Sequence, residues 1–532
     1  MARVEPRVIA AKTFFVAPLV LAWLPLCHAA GKAGAPAATS GRVDSAPSAT
    51  VAAAGRTLYV STEGSDTTGD GSRGRPFRTV AGALSSALAG DEIVLRGAPS
   101  VADNRYREQV RIQLPGLTLR GEDGEHAVLE CPTDVESVSA CVRLDVDSDG
   151  AHVRNLEIIG GYYYGIKLET RWDWGDPDDR TGASRILIED VVIHDTGRDA
   201  VKITPGCDDV TLRRVEIYNS GVRDGSNAEG IDNVNGDRMV VQDSYIHDTA
   251  TTGIYFKGGA TDVVVERNCI ERTGAAGILV GFDTSPEYFD LTANPDYYES
   301  VRGIVRNNLV RHTAYAGIGL YAARDALVLN NTLIDTGLTA HAPIYFGISY
   351  QDWEPGAGRP PSLNPRIFNN LVFQSSGMPR DCVYIRYSQD LDGLSALSGM
   401  PSMDHNLFFH ADTCTFTDRR PDSLLLAGTF AQWQTHASAD AHSLTSSPEL
   451  HADGSLLPHS PAVDAGNTTV VDMPTDRRGN ARVADGDGDG AAVVDIGAHE
   501  LQPGTTRRVP RRLLKRADNP GHPGLGEHPG TR

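Results

Sequence analysis

The chain has 532 residues, 55 of them glycine, modest aromatic content and a formal charge of −20. That balance excludes a general nucleic-acid binder, which needs a basic footprint. It also sets a condition on any acidic ligand: the bulk field repels it unless a bound cation reverses the local sign.

Met1–Ala30 reads as a secretory signal. Arg3, Arg7 and Lys12 precede an apolar run, Phe14–Leu26, too short for a comfortable membrane span, and small residues stand at Ala29 and Ala30. The expectation is a secreted or cell-surface protein with no membrane span in the mature chain. Gly31–Arg56, rich in Ala, Gly, Ser and Pro, reads as a flexible linker. Leu58–Gly97 then offers a strand at Leu58–Ser61, a Gly/Asp-rich loop, a helix over Thr79–Leu88 and a strand at Glu92–Arg96. This segment resembles the N-terminal entry of many secreted right-handed β-helix proteins, polysaccharide lyases among them. The resemblance implies a helical cap over the open edge and apolar end of a first coil.

From Val110 to Leu168 short β-branched runs continue less regularly. Two insertions carry aromatics: Tyr162–Arg180, with Trp172 and Trp174, and Gly281–Ser300, with Tyr288, Phe289, Tyr297 and Tyr298. Such rings either stack on sugars or pad the flank of the fold. In an exported chain Cys131 and Cys141 are expected to bridge, as are Cys382 and Cys414. Cys207 and Cys269 fall about two coils apart, roughly 10 Å at strand spacing, and read as separate thiols.

The most regular stretch is Arg185–Gly337. Ile186–Gly197 (ILIEDVVIHDTG) lies over Val210–Gly221, Met239–Ala250 and Val263–Gly274, and the series continues at Ile304–Ala314 and Leu327–Gly337. A hydroxyl residue marks each unit: Thr196, Ser220, Thr249, Thr273, Thr313 and Thr336. A strand-built period of roughly 24 residues, with no helix in the unit, predicts an all-β chain folded as a right-handed parallel β-helix, here over 57–459. Asn268, Asn308, Asn331 and Asn370 recur at one turn position. Stacked asparagines pass hydrogen bonds along the axis, so a structural role is expected for them.

In such a solenoid, outward residues of adjacent coils lie about 4.8 Å apart. Aligning the second strand of each coil on Ala200, Gly230, Gly253, Gly277 and Gly317 gives an inward column of Val201, Ile231, Ile254, Ile278 and Ile318. The outward columns hold Lys202, Asp232, Tyr255, Leu279 and Gly319, then Thr204, Val234, Lys257, Gly281 and Tyr321. Asp199 and Glu229 sit just before the reference. Polar residues therefore gather on three consecutive coils and then stop.

These coils resemble those of family-nine pectate lyases, which carry an acid in one coil, a DDGxD stretch in the next and a lysine beside a Gly-Gly pair after that. Here the stretches read Arg198-Asp199-Ala200-Val201-Lys202, Ala228-Glu229-Gly230-Ile231-Asp232 and Tyr255-Phe256-Lys257-Gly258-Gly259. The resemblance implies Ca²⁺ held by Asp199, Glu229 and Asp232, and Lys257 as the base. Ala228 stands where the first acid of DDGxD belongs, with Asn227 as its replacement. Lys257 lies two residues further along its strand than the family's lysine, on the same outward face. Lys202, Tyr255, Trp172 and Trp174 are the expected substrate contacts, with Tyr255 the substitute base. The implied function is a Ca²⁺-dependent lyase acting as a monomer on an acidic polysaccharide. A non-catalytic carbohydrate-binding solenoid and a glycoside hydrolase are the alternatives, because fold does not set function.

Three further motifs invite structural readings. Asp208-Asp209 fits a turn before Val210. His194 and His247 occupy equivalent repeat positions. Asp485, Asp487 and Asp489 form half of a calcium loop whose closing Glu is replaced by Ile496. The stretch around them, Ser460–Glu500 (SPAVDAGN, DRRGN, VVDIGAHE), resembles the terminal module of many secreted bacterial β-helix proteins, often linked to surface anchoring. Leu501–Arg532 is polar and basic and reads as a disordered tail.

Overall fold

The computed structural model describes residues 55–97, 104–172, 179–351 and 358–504. The expected signal, all but the last two residues of the linker, Trp174 and most of the basic tail lie outside the described residues.

Between coils, alternation becomes register. Val201, Ile231, Ile254, Ile278 and Ile318 pair in sequence from strand to strand, each fully buried, as the inward column requires. Among the described residues the strands form sheets of 21, 12 and five members, nearly all parallel and stacked along one axis as a parallel β-helix, with a small antiparallel pair, Tyr387–Ser388 and Leu394–Ser395, beside them. One apolar core runs the length of the stack, from Leu58 to Ala437. Period-two alternation puts the β-branched residues on this inner face, where each coil covers the last.

The corners are set by polar side chains. Each of Asn268, Asn308, Asn331 and Asn370 donates its backbone N–H and its Nδ2 to the Oδ1 of the next coil's asparagine, at 2.9–3.1 Å. Asn406 is a fifth rung, and Asp440 accepts from it at 3.1 Å. The residue before each rung is left-handed (Arg267 φ 56°, Asn307 55°, Asn330 53°, Asn369 56°), which turns the chain without a glycine. The hydroxyl markers close the following corner, with Thr196, Thr249, Thr273 and Thr313 each donating to the carbonyl two residues on.

Helices close both ends. The N-terminal helix is Val80–Leu84, shorter than the expected Thr79–Leu88. Thr79 caps it by accepting from Gly82 N, and the Glu108 carboxylate accepts from Val80 N and Ala81 N. Val80 and Ala83 are buried in the core, Leu84 packs against it, and Ser85 ends the helix. At the far end Phe430–Ala437, absent from the sequence reading, plugs the core with Trp433, fully buried and stacked on Phe416 at 5.4 Å.

Ser460–Glu500 lies along the asparagine corner. Asn330 Nδ2 donates to Asp495 O, Ala498 N to Thr332 Oγ1 and Gly497 N to Asn369 O. Ile496 and Ala462 join Leu371, Leu407 and Leu456 in a second apolar cluster.

Cys131–Cys141 and Cys382–Cys414 are bridged, with Cα atoms 5.4 and 6.0 Å apart. Cys207 is a buried free thiol. Cys269 is disulfide-bonded, which corrects the second of the two expected thiols, although the two do not pair with each other. Among the described residues no helix is long and apolar enough to cross a membrane.

Candidate functional site

The 12-stranded sheet carries the outward columns. Lys202 pairs with Asp232, and Asp232 with Tyr255, on strands Val201–Ile203, Ile231–Val234 and Ile254–Lys257. Val234 pairs with Lys257, so the expected register is observed. Asp199 and Glu229 sit at the entrance to the first two strands, where Ala200 N donates to Glu229 O.

Stacking brings the three acids together. One carboxylate oxygen from each of Asp199, Glu229 and Asp232 lies within 4.8 Å of the others, and all three residues are buried. Each carboxylate has one engaged oxygen. Asp199 Oδ1 accepts from Glu229 N at 3.1 Å, Glu229 Oε1 from Thr251 Oγ1 at 2.8 Å, and Asp232 Oδ2 from Lys202 Nζ. The other oxygens, Asp199 Oδ2, Glu229 Oε2 and Asp232 Oδ1, are buried with no hydrogen-bond partner.

Buried polar groups are rarely left unpaired, and the three carboxylates, converging from adjacent coils, could hold a cation. Lys202 balances one of the three carboxylates, which leaves two negative charges for a divalent ion. Hard carboxylate oxygens suit Ca²⁺.

The electrostatics agree. Burial, then the charges of Glu229 and Asp232, push the Asp199 carboxyl well above its ordinary value. Burial and Asp232 push Glu229 up as well. For Lys202, burial favours the neutral amine, but Asp232 and Asp199 outweigh it and hold the ammonium above its usual range. Tyr164, one of the aromatics of the first insertion, feels the charges of Lys202, Asp199 and Asp232, and burial pushes its phenol up to about 12.

Lys257 is half-buried beyond the triad. Its Nζ donates to Asp283 O at 3.0 Å and lies 4.4 Å from the Tyr255 ring centre. The segment that holds it comes from the second insertion. Glu299 accepts from Gly258 N at 2.9 Å, Thr284 N at 3.1 Å and Ser349 Oγ at 3.1 Å, while Asp283 Oδ1 accepts from Ser349 Oγ and Tyr350 N. Burial raises the Glu299 carboxyl to about 7.

Several expected residues take other roles. Tyr255 is 2% exposed and its phenol is pushed well above its ordinary value, first by burial and then by Asp232, so it is no substitute base. Its ring instead opens a small outward apolar cluster with Leu279, Tyr321 and Tyr345, covered by Phe282. Trp172 is 4% exposed and its Nε1 donates to Glu287 O at 2.8 Å. It bolts one insertion to the other, which corrects its expected sugar-stacking role. Asn227 is exposed, outside the converging carboxylates. Thr251 orients Glu229 and was not anticipated. The other motifs are structural: His194, Tyr218 and His247 stack along the long sheet, and Asp208 and Asp209 pair with Arg238. Asp485 and Asp487 of the half loop lie close to Asp464.

The family model described as "Right handed beta helix region" matches residues 140–290. No curated protein matches the sequence. Among solved structures, pectate lyase Pel9A is similar over 85% of this chain and 97% of its own, at 13% identity and a TM-score of 0.50. XylC, solved with xylose, is similar over 84% of this chain and 98% of its own, at 12% identity and the same TM-score. A rhamnogalacturonan lyase covers 73% of this chain and 99% of its own, at 13% identity and a TM-score of 0.46. At these identities the likeness shows the fold: a right-handed parallel β-helix.

Proposed function

We propose that this right-handed β-helix is a secreted, Ca²⁺-dependent lyase that cleaves a uronic-acid polymer by β-elimination. The observation that carries the reading is the buried triad Asp199, Glu229 and Asp232, one carboxylate oxygen of each within 4.8 Å of the others and one oxygen of each without a hydrogen-bond partner. The fold shared with a pectate lyase supports it by analogy. Asp199, Glu229 and Asp232 would hold a calcium ion, which would supply positive charge to bind the uronate carboxylate and acidify the proton alpha to it. It also answers the repulsion that a chain of charge −20 exerts on an acidic substrate.

The protein's own groups do the rest. Lys257, fixed by Asp283 O and seated on Tyr255, takes the alpha proton. The electron pair left behind becomes the new carbon–carbon double bond. The glycosidic oxygen departs from the beta carbon with the bonding pair and is protonated by solvent water, and Lys257 returns its proton to solvent. Lys202 holds Asp232 in place at the edge of the cluster. The test is incubation with polygalacturonate and with alginate, with calcium or a chelator, followed by ultraviolet absorbance of unsaturated ends. Reducing ends without absorbance would establish a hydrolase instead, and binding without cleavage a carbohydrate-binding solenoid.

Calcium should also act on stability in a pH-dependent way. The folded-state pKa values of Asp199, Glu229 and Glu299 are raised, the last to about 7. Their contribution is therefore complete below the unfolded carboxylate range and is lost as pH rises through the folded values. The metal-free protein should lose thermal stability on going from pH 5 to pH 8. Calcium should restore the triad's share, with a larger increment at pH 8, because protons compete for the ligands. Asp199→Asn should flatten the metal-free profile and abolish the increment. An equal calcium increment at both pH values in the wild type, or its survival in Asp199→Asn, would refute the triad as the binding site.

A further inference from the structure

The column that begins with Lys202 and Asp232 continues down the sheet. Tyr255, Leu279, Gly319, Tyr345 and Tyr384 follow in register, one per coil. The first three bring no charge. At Tyr345 and Tyr384 the surface opens into a pocket of about 360 Å³, lined by His341, Tyr345, Asp381, Tyr384, Arg386 and Arg419 among others. Tyr345 lies four coils from Asp232, about 19 Å along the axis at strand spacing.

The pocket has two parts. One is a plate of rings. His341 stacks on Tyr345 with centres 3.9 Å apart and planes at 7°, and Tyr345 stacks on Tyr384 at 5.6 Å. Burial, with Arg386 nearby, holds the His341 imidazole down at about 4, so it stays a neutral ring near neutral pH. The other part is a pair of cations. Arg419 N donates to Ile385 O, which places Arg386 and Arg419 side by side on neighbouring coils.

Like charges in adjacent strands repel, and many arginines of this solenoid are paired across coils with Asp or Glu, as Arg213 is with Glu189 and Arg302 with Asp262. Among the described residues neither Arg386 nor Arg419 has a carboxylate partner. The one acid in the pocket, Asp381, has its Oδ1 taken by the hydroxyls of Thr415 and Thr417 at 2.9 and 2.8 Å. In a chain so acidic overall, two adjacent guanidinium groups without a carboxylate partner, Arg386 engaging only the Tyr345 hydroxyl, form beside a ring plate a receptor for a flat, anionic ligand.

We propose that this pocket is a distal subsite for the uronate polymer, with the rings carrying a sugar face and Arg386 and Arg419 binding its carboxylate. The choice of polymer rests on the reading of the triad; the anionic-sugar chemistry of the pocket rests on its own residues.

The test uses the full chain, oligogalacturonates of graded length and titration calorimetry with calcium present. The wild-type affinity should rise steeply once the oligomer is long enough to reach from the triad to the pocket. In Arg386→Gln/Arg419→Gln that gain with length should fall by about ten-fold for each guanidinium removed. Lysine at both positions should recover part of it. Arg419→Gln alone, at an exposed position, guards against misfolding of the double variant. A gain with length that survives in these variants overturns the proposal, as does an equal gain with methyl-esterified oligomers. An intact length gain without unsaturated products would defeat the lyase reading and leave the pocket standing.

Discussion

Lys257→Ala should lower β-elimination of polygalacturonate by about 10²–10⁴-fold, the contribution of a positioned general base. Calcium affinity, measured by calorimetry, should change little, because the proposed ligands are Asp199, Glu229 and Asp232 on the preceding coils. Lys257→Arg should not rescue turnover, since a guanidinium does not give up its proton near neutral pH. The structure makes the comparison clean. The Lys257 side chain rests on the Tyr255 and Phe282 rings and the Asp283 carbonyl, so its truncation breaks no hydrogen bond of the three carboxylates and removes only its charge near Glu229. An alanine variant with wild-type turnover would remove Lys257 from the mechanism.

Asn331→Ala should destabilise the solenoid by about 3–5 kcal/mol, several buried hydrogen-bonding groups being left unpaired at roughly 1–3 kcal/mol each. The Asn331 Oδ1 accepts two N–H groups from Asn308, and its Nδ2 donates to Val305 O and to Asn370. All of this is out of reach of water. Asn364→Ala provides the contrast: its single side-chain bond, to Asp325, is exposed, and the expected loss of about 1 kcal/mol comes mostly from placing alanine at its left-handed φ of 51°. Urea midpoints and melting temperatures of the two variants decide the matter. Similar values would mean that the ladder closes around the missing rung.

What could be read in the sequence was whatever the repeat carries. The coils keep one hydroxyl marker and one inward column, so Val201, Ile231 and Ile254 could be stacked before any coordinates existed, and with them Asp199, Glu229 and Asp232. The long coil before Thr313 did not disturb this, because its insertion leaves the strand at Ile278–Val280 in phase with Ile318. The insertions themselves were opaque. Trp172 meets Glu287 across 115 residues of sequence, and no period announces such a contact. The same holds for Asp283 and Glu299, which hold the segment under Lys257. The outward column turns from polar to apolar at Tyr255 because Phe282, from an insertion, lies over it. The closing helix at Phe430–Ala437 is different. Its capping box, Thr429 with Gln432, is a signal legible in one dimension that the loosening of the coils had obscured.

Because successive coils advance by a fixed step of about 4.8 Å, this protein is graduated like a ruler. Adding or deleting one whole turn between Ile278–Val280 and Ile318–Tyr321 would leave the calcium ligands as they are and shift the arginine pair by one graduation. Relatives built on the same plan could thus be tuned to longer or shorter stretches of polymer by counting turns, with no change in the groups that do the chemistry.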